Sequence, residues 1–190
     1  MGITSVIFVS PWTISAQNVD ASLMLIGQDW SSSDILNGPK NEEIKRLGQT
    51  FDLETNQNLR QLLRRMNLDF ENTYATNLFP FIKSGRLDTP ISAADMTLCA
   101  SRYAIPQIEI VAPKMVVCLG KKTFDAILRA LRQPTIPWAD ALQGHRTLLD
   151  DIEIYASPHT GRWGIMNAGG MQRVHEIWER LAACLLRLGH

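Results

Sequence analysis

The sequence has little of what a secreted, metal-stapled or membrane-spanning protein needs. Three cysteines, Cys99, Cys118 and Cys184, stand singly among 190 residues, with no CxxC pair and no histidine at ligand spacing. Structural zinc and iron–sulfur clusters require closely spaced thiolates, so no metal or other cofactor is expected. Reduced, buried thiols acting as small apolar side chains are expected instead. An excess of charge of one sign is also missing, because 19 Lys+Arg balance 19 Asp+Glu. That removes the net basic surface on which phosphate-binding proteins usually rely, and leaves a local basic rim as the means of touching a nucleic acid. No window reaches the ~18 uninterrupted apolar residues of a membrane helix. The N-terminus lacks the basic segment, apolar stretch and small-residue cleavage site of a signal peptide. A cytoplasmic protein with no membrane partner is the expectation. Repeats, linkers and low-complexity segments are absent too.

What is present is a core. With 45% hydrophobic and 20% charged residues, residues 1–190 can bury enough surface for one globular domain without staples, and a monomer is expected. Four short apolar runs, Leu23 to Ile26, Thr73 to Leu78, Met115 to Leu119 and Ile152 to Ala156, alternate with stretches of helical periodicity. This is the rhythm of a parallel sheet covered by helices. Leu59, Leu62, Leu63 and Met66 mark one helix, with Arg60, Arg64 and Arg65 on its other face. Phe124, Ile127, Leu128 and Leu131 mark a second, closed by Pro134. Met171, Val174, Trp178, Leu181, Leu185 and Leu188 mark the last. Ser92 with Asp95 three residues on opens a further helix with Ala94, Leu98 and Ile105 on one side, kinked or split by Pro106. The Ser5 to Val9 run reads equally as an edge strand or an arm. The predicted fold is a three-layer α/β/α sandwich around a mainly parallel four-stranded sheet.

In open α/β sheets, ligands bind beyond the carboxyl ends of the strands. Here those ends are polar: Gly27-Gln28-Asp29-Trp30, Thr76-Asn77, Gly120-Lys121-Lys122 and Ser157-Pro158-His159-Thr160-Gly161. A parallel sheet would bring Asp29, Asn77 and His159 to one edge. A carboxylate can orient water or stabilise a cationic sugar, an amide pairs with a base edge, and an imidazole stabilises a departing anion. Each also admits a plainer role: Asp29 as a cap, Asn77 in an Asx turn, His159 as a structural histidine. Two phosphate motifs fail on inspection. The first glycine of a Walker A loop ending at Gly120-Lys121-Lys122-Thr123 would be Met115, and Gly161, Gly164, Gly169 and Gly170 do not fit G-x-G-x-x-G.

From Leu23 onward, the order of these motifs resembles the uracil-DNA glycosylase superfamily. Leu23 to Trp30 is similar to its first motif, Thr76-Asn77-Leu78 to its asparagine motif, and Pro113 to Gly120 to its apolar strand ending in glycine. His159 stands where its final histidine loop belongs. The resemblance implies a glycosylase that flips uracil or another deaminated base out of DNA and hydrolyses its N-glycosidic bond in base-excision repair. Asp29 would then position the water and balance the sugar cation, Asn77 would read the base edge, and His159 would stabilise the leaving base. Gln28 would join the base-binding set, with Phe51, or else Trp30, stacking on the flipped ring. Thr160, Gly161, Arg162 and Trp163 would form the DNA-binding loop, with Trp163 as the wedge. The chain departs from the best-known branch in Trp30-Ser31-Ser32-Ser33, where proline, tyrosine and histidine usually follow, and in His159-Thr160-Gly161, where many relatives have His-Pro-Ser. The iron–sulfur branch needs four cysteines. Two readings of other classes stay open: a glycosylase-like protein that binds DNA or a free base without turnover, and a nucleotide binder using Lys121 and Lys122.

Overall fold

The computed structural model describes residues 16–38, 42 and 53–189. All four apolar runs are strands: β1 (Leu23–Asp29), β2 (Thr73–Phe79), β3 (Met115–Leu119) and, after the short β4 (Thr147–Leu149), β5 (Ile152–Ser157). β1 runs parallel to β2, from Leu23↔Thr73 to Asp29↔Phe79. It is also parallel to β3, which in turn pairs in parallel with β5. The expected four-stranded sheet is corrected to five strands, in the order β2-β1-β3-β5-β4. The extra strand, β4, is antiparallel to β5, joined to it across Leu149↔Ile152 by the turn Asp150-Asp151. Asp150 takes the left-handed conformation there (φ 51°), which aspartate tolerates better than most residues. The Ser5 to Val9 run and Phe51 lie outside the described residues.

Among the described residues, the helices are α1 (Ser33–Asn37), α2 (Glu54–Arg65), α3 (Ala93–Cys99), α4 (Ile105–Val111), α5 (Lys121–Ala130), α6 (Trp138–Ala141), α7 (Arg162–Asn167) and α8 (Met171–Arg187). Because the central strands are covered on both faces, alternate residues feed two cores. Leu23, Leu25, Ala75, Met115, Val117 and Tyr155 pack with Leu59, Leu62 and Leu63 of α2 and Val174, Trp178, Leu181 and Leu185 of α8. Met24, Ile26, Leu78, Val116, Cys118 and Ile154 pack with Met96, Ala100, Ala104 and Ile108 on one side of the chain and Phe124, Ile127 and Leu128 of α5. Each such Leu, Ile or Phe contributes ~1.5–3 kcal/mol before the entropy of ordering is set against it.

The segment opened by Ser92 differs in its buried face. Ser92 caps α3 as expected, its hydroxyl accepting from the Asp95 N–H at 3.0 Å. Ahead of Pro106 the helix loosens into a π turn, Ala100–Ala104, in which the Ile105 N–H reaches back to the Ala100 carbonyl. The inserted residue keeps Met96, Ala100, Ala104 and Ile108, each four apart, on one buried side. Leu98 is left 48% exposed, and Ala94 is exposed with it. Cys99 and Cys118 are buried and Cys184 is half-buried, all three as free thiols. Burial pushes the Cys99 thiol up to about 11 and raises that of Cys118 as well.

Candidate active site at the carboxyl edge of the sheet

β1 continues past its apolar run through Gly27 and Gln28, so Asp29 emerges at the carboxyl end of the strand, opposite Phe79. Asn77 lies in β2 opposite Gly27 and is 5% exposed. A Cβ at position 27 would stand 2.5 Å from Asn77 Oδ1, so the absence of a side chain is what lets the amide approach β1. Among the described residues, that buried oxygen has no hydrogen-bond partner. Leaving a buried acceptor unpaired costs ~1–3 kcal/mol, which a ligand donor would recover.

His159 follows Ser157, the last residue of β5, and buried Pro158. The neighbouring β3 is followed by Gly120, whose N–H donates to the Ser157 carbonyl at 2.7 Å and whose Cβ position lies 3.8 Å from His159 Cβ. The Gly161 N–H donates to His159 Nδ1 at 3.0 Å. The neutral ring therefore carries its proton on Nε2 and can donate from it. The residue presents surface to solvent, yet it is walled by enough protein that burial holds the imidazole below its ordinary value, while the Asp29 carboxylate pulls the other way. The field of Asp29 thus reaches the imidazole, and the structure brings Asp29, Asn77 and His159 to the same edge of the sheet.

The loop after His159 is tied down from beneath. Thr160 is fully buried; its hydroxyl donates to the Thr55 carbonyl at 3.1 Å and its own carbonyl accepts from Asn58 Nδ2 at 2.9 Å. Its side chain therefore anchors the loop to α2. Buried Gly161 caps α7, and the Cβ position of Gly164 falls 2.0 Å from the His159 carbonyl oxygen, so the first turn of α7 folds directly onto the histidine. Arg162 is exposed. Trp163 is 74% exposed, and Met166, three residues along the same helix, is 56% exposed. Behind the loop, Trp178 Nε1 donates to Ser157 Oγ at 2.8 Å and pins the end of β5 to α8.

Trp30 and Gln28 are half-buried beside Asp29, while Phe51 lies outside the described residues. Phe79, Phe81 and Tyr103 form an edge-to-face series with ring centroids 5.4 Å apart at each step. Lys121 is paired with Asp125 at 2.5 Å. An open cleft lined by Asp34, Arg86, Leu87 and Asp88 includes none of the three polar residues above. Among the described residues no group of three or more His, Cys, Asp or Glu is placed to hold a metal, and no helix is long and apolar enough to cross a membrane.

One charged residue went unremarked in the sequence: Lys83, whose ammonium forms an ion pair with Asp29 Oδ2. A single lysine in the polar stretch after Phe81 carries no periodicity or motif, and only the fold brings it under β1.

The protein is an α/β sandwich whose mainly parallel sheet carries an acid, an amide and an imidazole toward one carboxyl edge. The family model for the uracil DNA glycosylase superfamily matches residues 15–182. The chain belongs to that superfamily, whose class of activity is the hydrolysis of glycosidic bonds in DNA.

Proposed function

We propose that the chain is a single-domain, monomeric, cytoplasmic and monofunctional glycosylase that removes uracil, or a related deaminated base, from DNA in base-excision repair. The observation that supports this reading is the placement of Asp29, Asn77 and His159 toward the carboxyl ends of β1, β2 and β5. Base and sugar cannot be parted inside the stack, so the nucleotide must be flipped at a cost of a few kcal/mol, recovered by contacts to the base edge. The unpaired Asn77 Oδ1 accepts from the ring N–H of uracil, and the amide nitrogen faces a carbonyl. As the C1′–N1 bond breaks, its electron pair passes into the base. His159 donates from Nε2 to the base oxygen on which that charge collects, a contribution worth roughly 10²–10³-fold when such a donor is removed. Asp29 balances the cationic sugar and holds the water whose oxygen bonds to C1′, the water's proton leaving to the carboxylate and then to solvent. Trp163 fills the space the base has left, and Arg162 meets a phosphate.

The test is a panel of single- and double-stranded oligonucleotides containing uracil, hypoxanthine or xanthine, read as alkali-labile abasic sites. Release of at least one base is expected, without strand cleavage before alkali and with loss of release in Asp29→Asn. No release from any member of the panel refutes the reading.

A further inference from the structure

The acid at this site does not stand alone. Lys83 is 6% exposed, unusual for a side chain that almost always keeps its charge in water. Its ammonium forms an ion pair with Asp29 Oδ2 and donates to the Leu87 carbonyl and to the Thr89 carbonyl at 3.4 Å. Its backbone is fixed independently. The Lys83 N–H donates to the Ser31 carbonyl at 3.2 Å, and its own carbonyl accepts from the Ser33 N–H at 2.8 Å, forming a parallel bridge between Ser32 and Lys83. The segment beyond the asparagine strand is thereby zipped to the segment beyond the aspartate strand, past the end of the sheet. At position 83 that zipper uses main-chain atoms only, so any residue but proline could make it. The burial of a lysine there is accounted for by what its ammonium touches.

Resting on the activity proposed above, we propose that Lys83 is a positioning residue for the hydrolysis. It holds one oxygen of the Asp29 carboxylate, so that the other is presented to the attacking water in one orientation. Without the ammonium, a largely buried carboxylate would lack its counter-charge and be free to turn. The two loop carbonyls share the positive charge, which limits its opposition to the cation forming on the sugar. In this role Lys83 acts as an ammonium, whose nitrogen has no lone pair to attack C1′, so no Schiff base forms.

The experiment measures single-turnover release of uracil from a duplex oligonucleotide by the wild type, Lys83→Met, Lys83→Arg, Asp29→Asn and the Asp29→Asn/Lys83→Met double variant. A misoriented catalytic group costs up to about 10²-fold, so Lys83→Met is expected to be roughly 10–100-fold slower, with oligonucleotide affinity within about twofold. Lys83→Arg, which keeps a cation, should recover part of the rate. Because Lys83 acts through Asp29, the double variant should be no slower than Asp29→Asn alone. The proposal is overturned if Lys83→Met matches or exceeds the wild-type rate, if the two losses multiply in the double variant, or if borohydride traps a covalent adduct at Lys83. Should Lys83→Met fail to fold, Lys83→Gln takes its place in the same cycle. A wild type inert on every oligonucleotide would instead refute the activity itself, and is told apart by failing before any variant is compared.

Discussion

A methyl group added at position 27 would test base recognition without substituting a polar residue. In Gly27→Ala the new Cβ would lie 2.5 Å from Asn77 Oδ1, where ordinary contact begins at 3.4 Å. Either β1 and β2 part or the amide retreats by about 0.9 Å, since overlap on this scale is strongly repulsive. The strands are the stiffer element: Leu25 and Ile26 are fully buried, and β1 is held by β2 on one side and β3 on the other. The amide, with an unpaired oxygen, has less to hold it. Displacing a positioning group by ~1 Å can cost about 10²-fold in rate, so uracil release by Gly27→Ala should fall by roughly that factor. Strain confined to one side chain should cost no more than ~1 kcal/mol, which for a chain of this size lowers Tm by about 2–4 °C. Single-turnover release and a thermal melt measure the two together. Asn77→Ala supplies the control: if the methyl acts through the amide, Gly27→Ala/Asn77→Ala should be no slower than Asn77→Ala alone. A Gly27→Ala enzyme at wild-type rate, or two losses that multiply, would refute the reasoning.

Three further outcomes are expected. Burial holds His159 below its ordinary value of 6.5, so the folded protein binds fewer protons there than the unfolded chain; the residue costs no stability above the unfolded value and destabilises the fold as pH falls through it. The rate should likewise rise with pH on a limb centred below 6.5, and Asp29→Asn, which removes the charge holding the imidazole up, should move the His159 midpoint lower still by NMR titration; an upward movement would contradict the assignment. Trp163→Ala, at a site 74% exposed, should change stability by no more than ~0.5 kcal/mol, yet slow release from duplex DNA more than from single strands, where there is less stacking to replace; equal slowing on both would remove the wedge role. Trp178→Phe removes the indole donor from Ser157 Oγ, whose own hydroxyl still donates to the Pro158 carbonyl at 3.0 Å, and should cost ~0.5–1.5 kcal/mol in a denaturant melt.

The four parallel strands were legible because burial on both faces turns a strand into an unbroken apolar run, as at Met115–Leu119, where all five residues are buried. β4 was not, because only Thr147 of its three residues is buried and Leu148 points to solvent; nothing so short and half-exposed stands out from a loop. The buried side of α3 and α4 departs from the expectation because a 3.6-residue period does not carry through Ala100–Ala104, where each hydrogen bond spans one residue more than in an α-helix. Asp29, Asn77 and His159 could be picked out as polar residues at the ends of apolar runs. Lys83 could not, since its meaning depends on a bridge between Ser32 and Lys83 that joins segments fifty residues apart.

The glycines make the same point from the other direction. Gly161 and Gly164 do not fit a phosphate-binding glycine pattern, and the structure supplies a different reason for them. The missing side chain of Gly27 makes room for Asn77, and those of Gly161 and Gly164 make room for His159. The Gly161 Cβ position lies 3.0 Å from His159 Nδ1 and that of Gly164 lies 2.0 Å from the His159 carbonyl oxygen. Two of the three polar groups on this edge are therefore held where they are by what their neighbours lack. The consequence for the imidazole is chemical as well as steric. The N–H of Gly161 can reach Nδ1 at 3.0 Å because no Cβ intervenes, and that bond is what leaves the proton on Nε2, the nitrogen free to donate. A residue with a side chain at 161 would crowd the ring and, by shifting that N–H, loosen the choice of tautomer on which donation to the departing base depends.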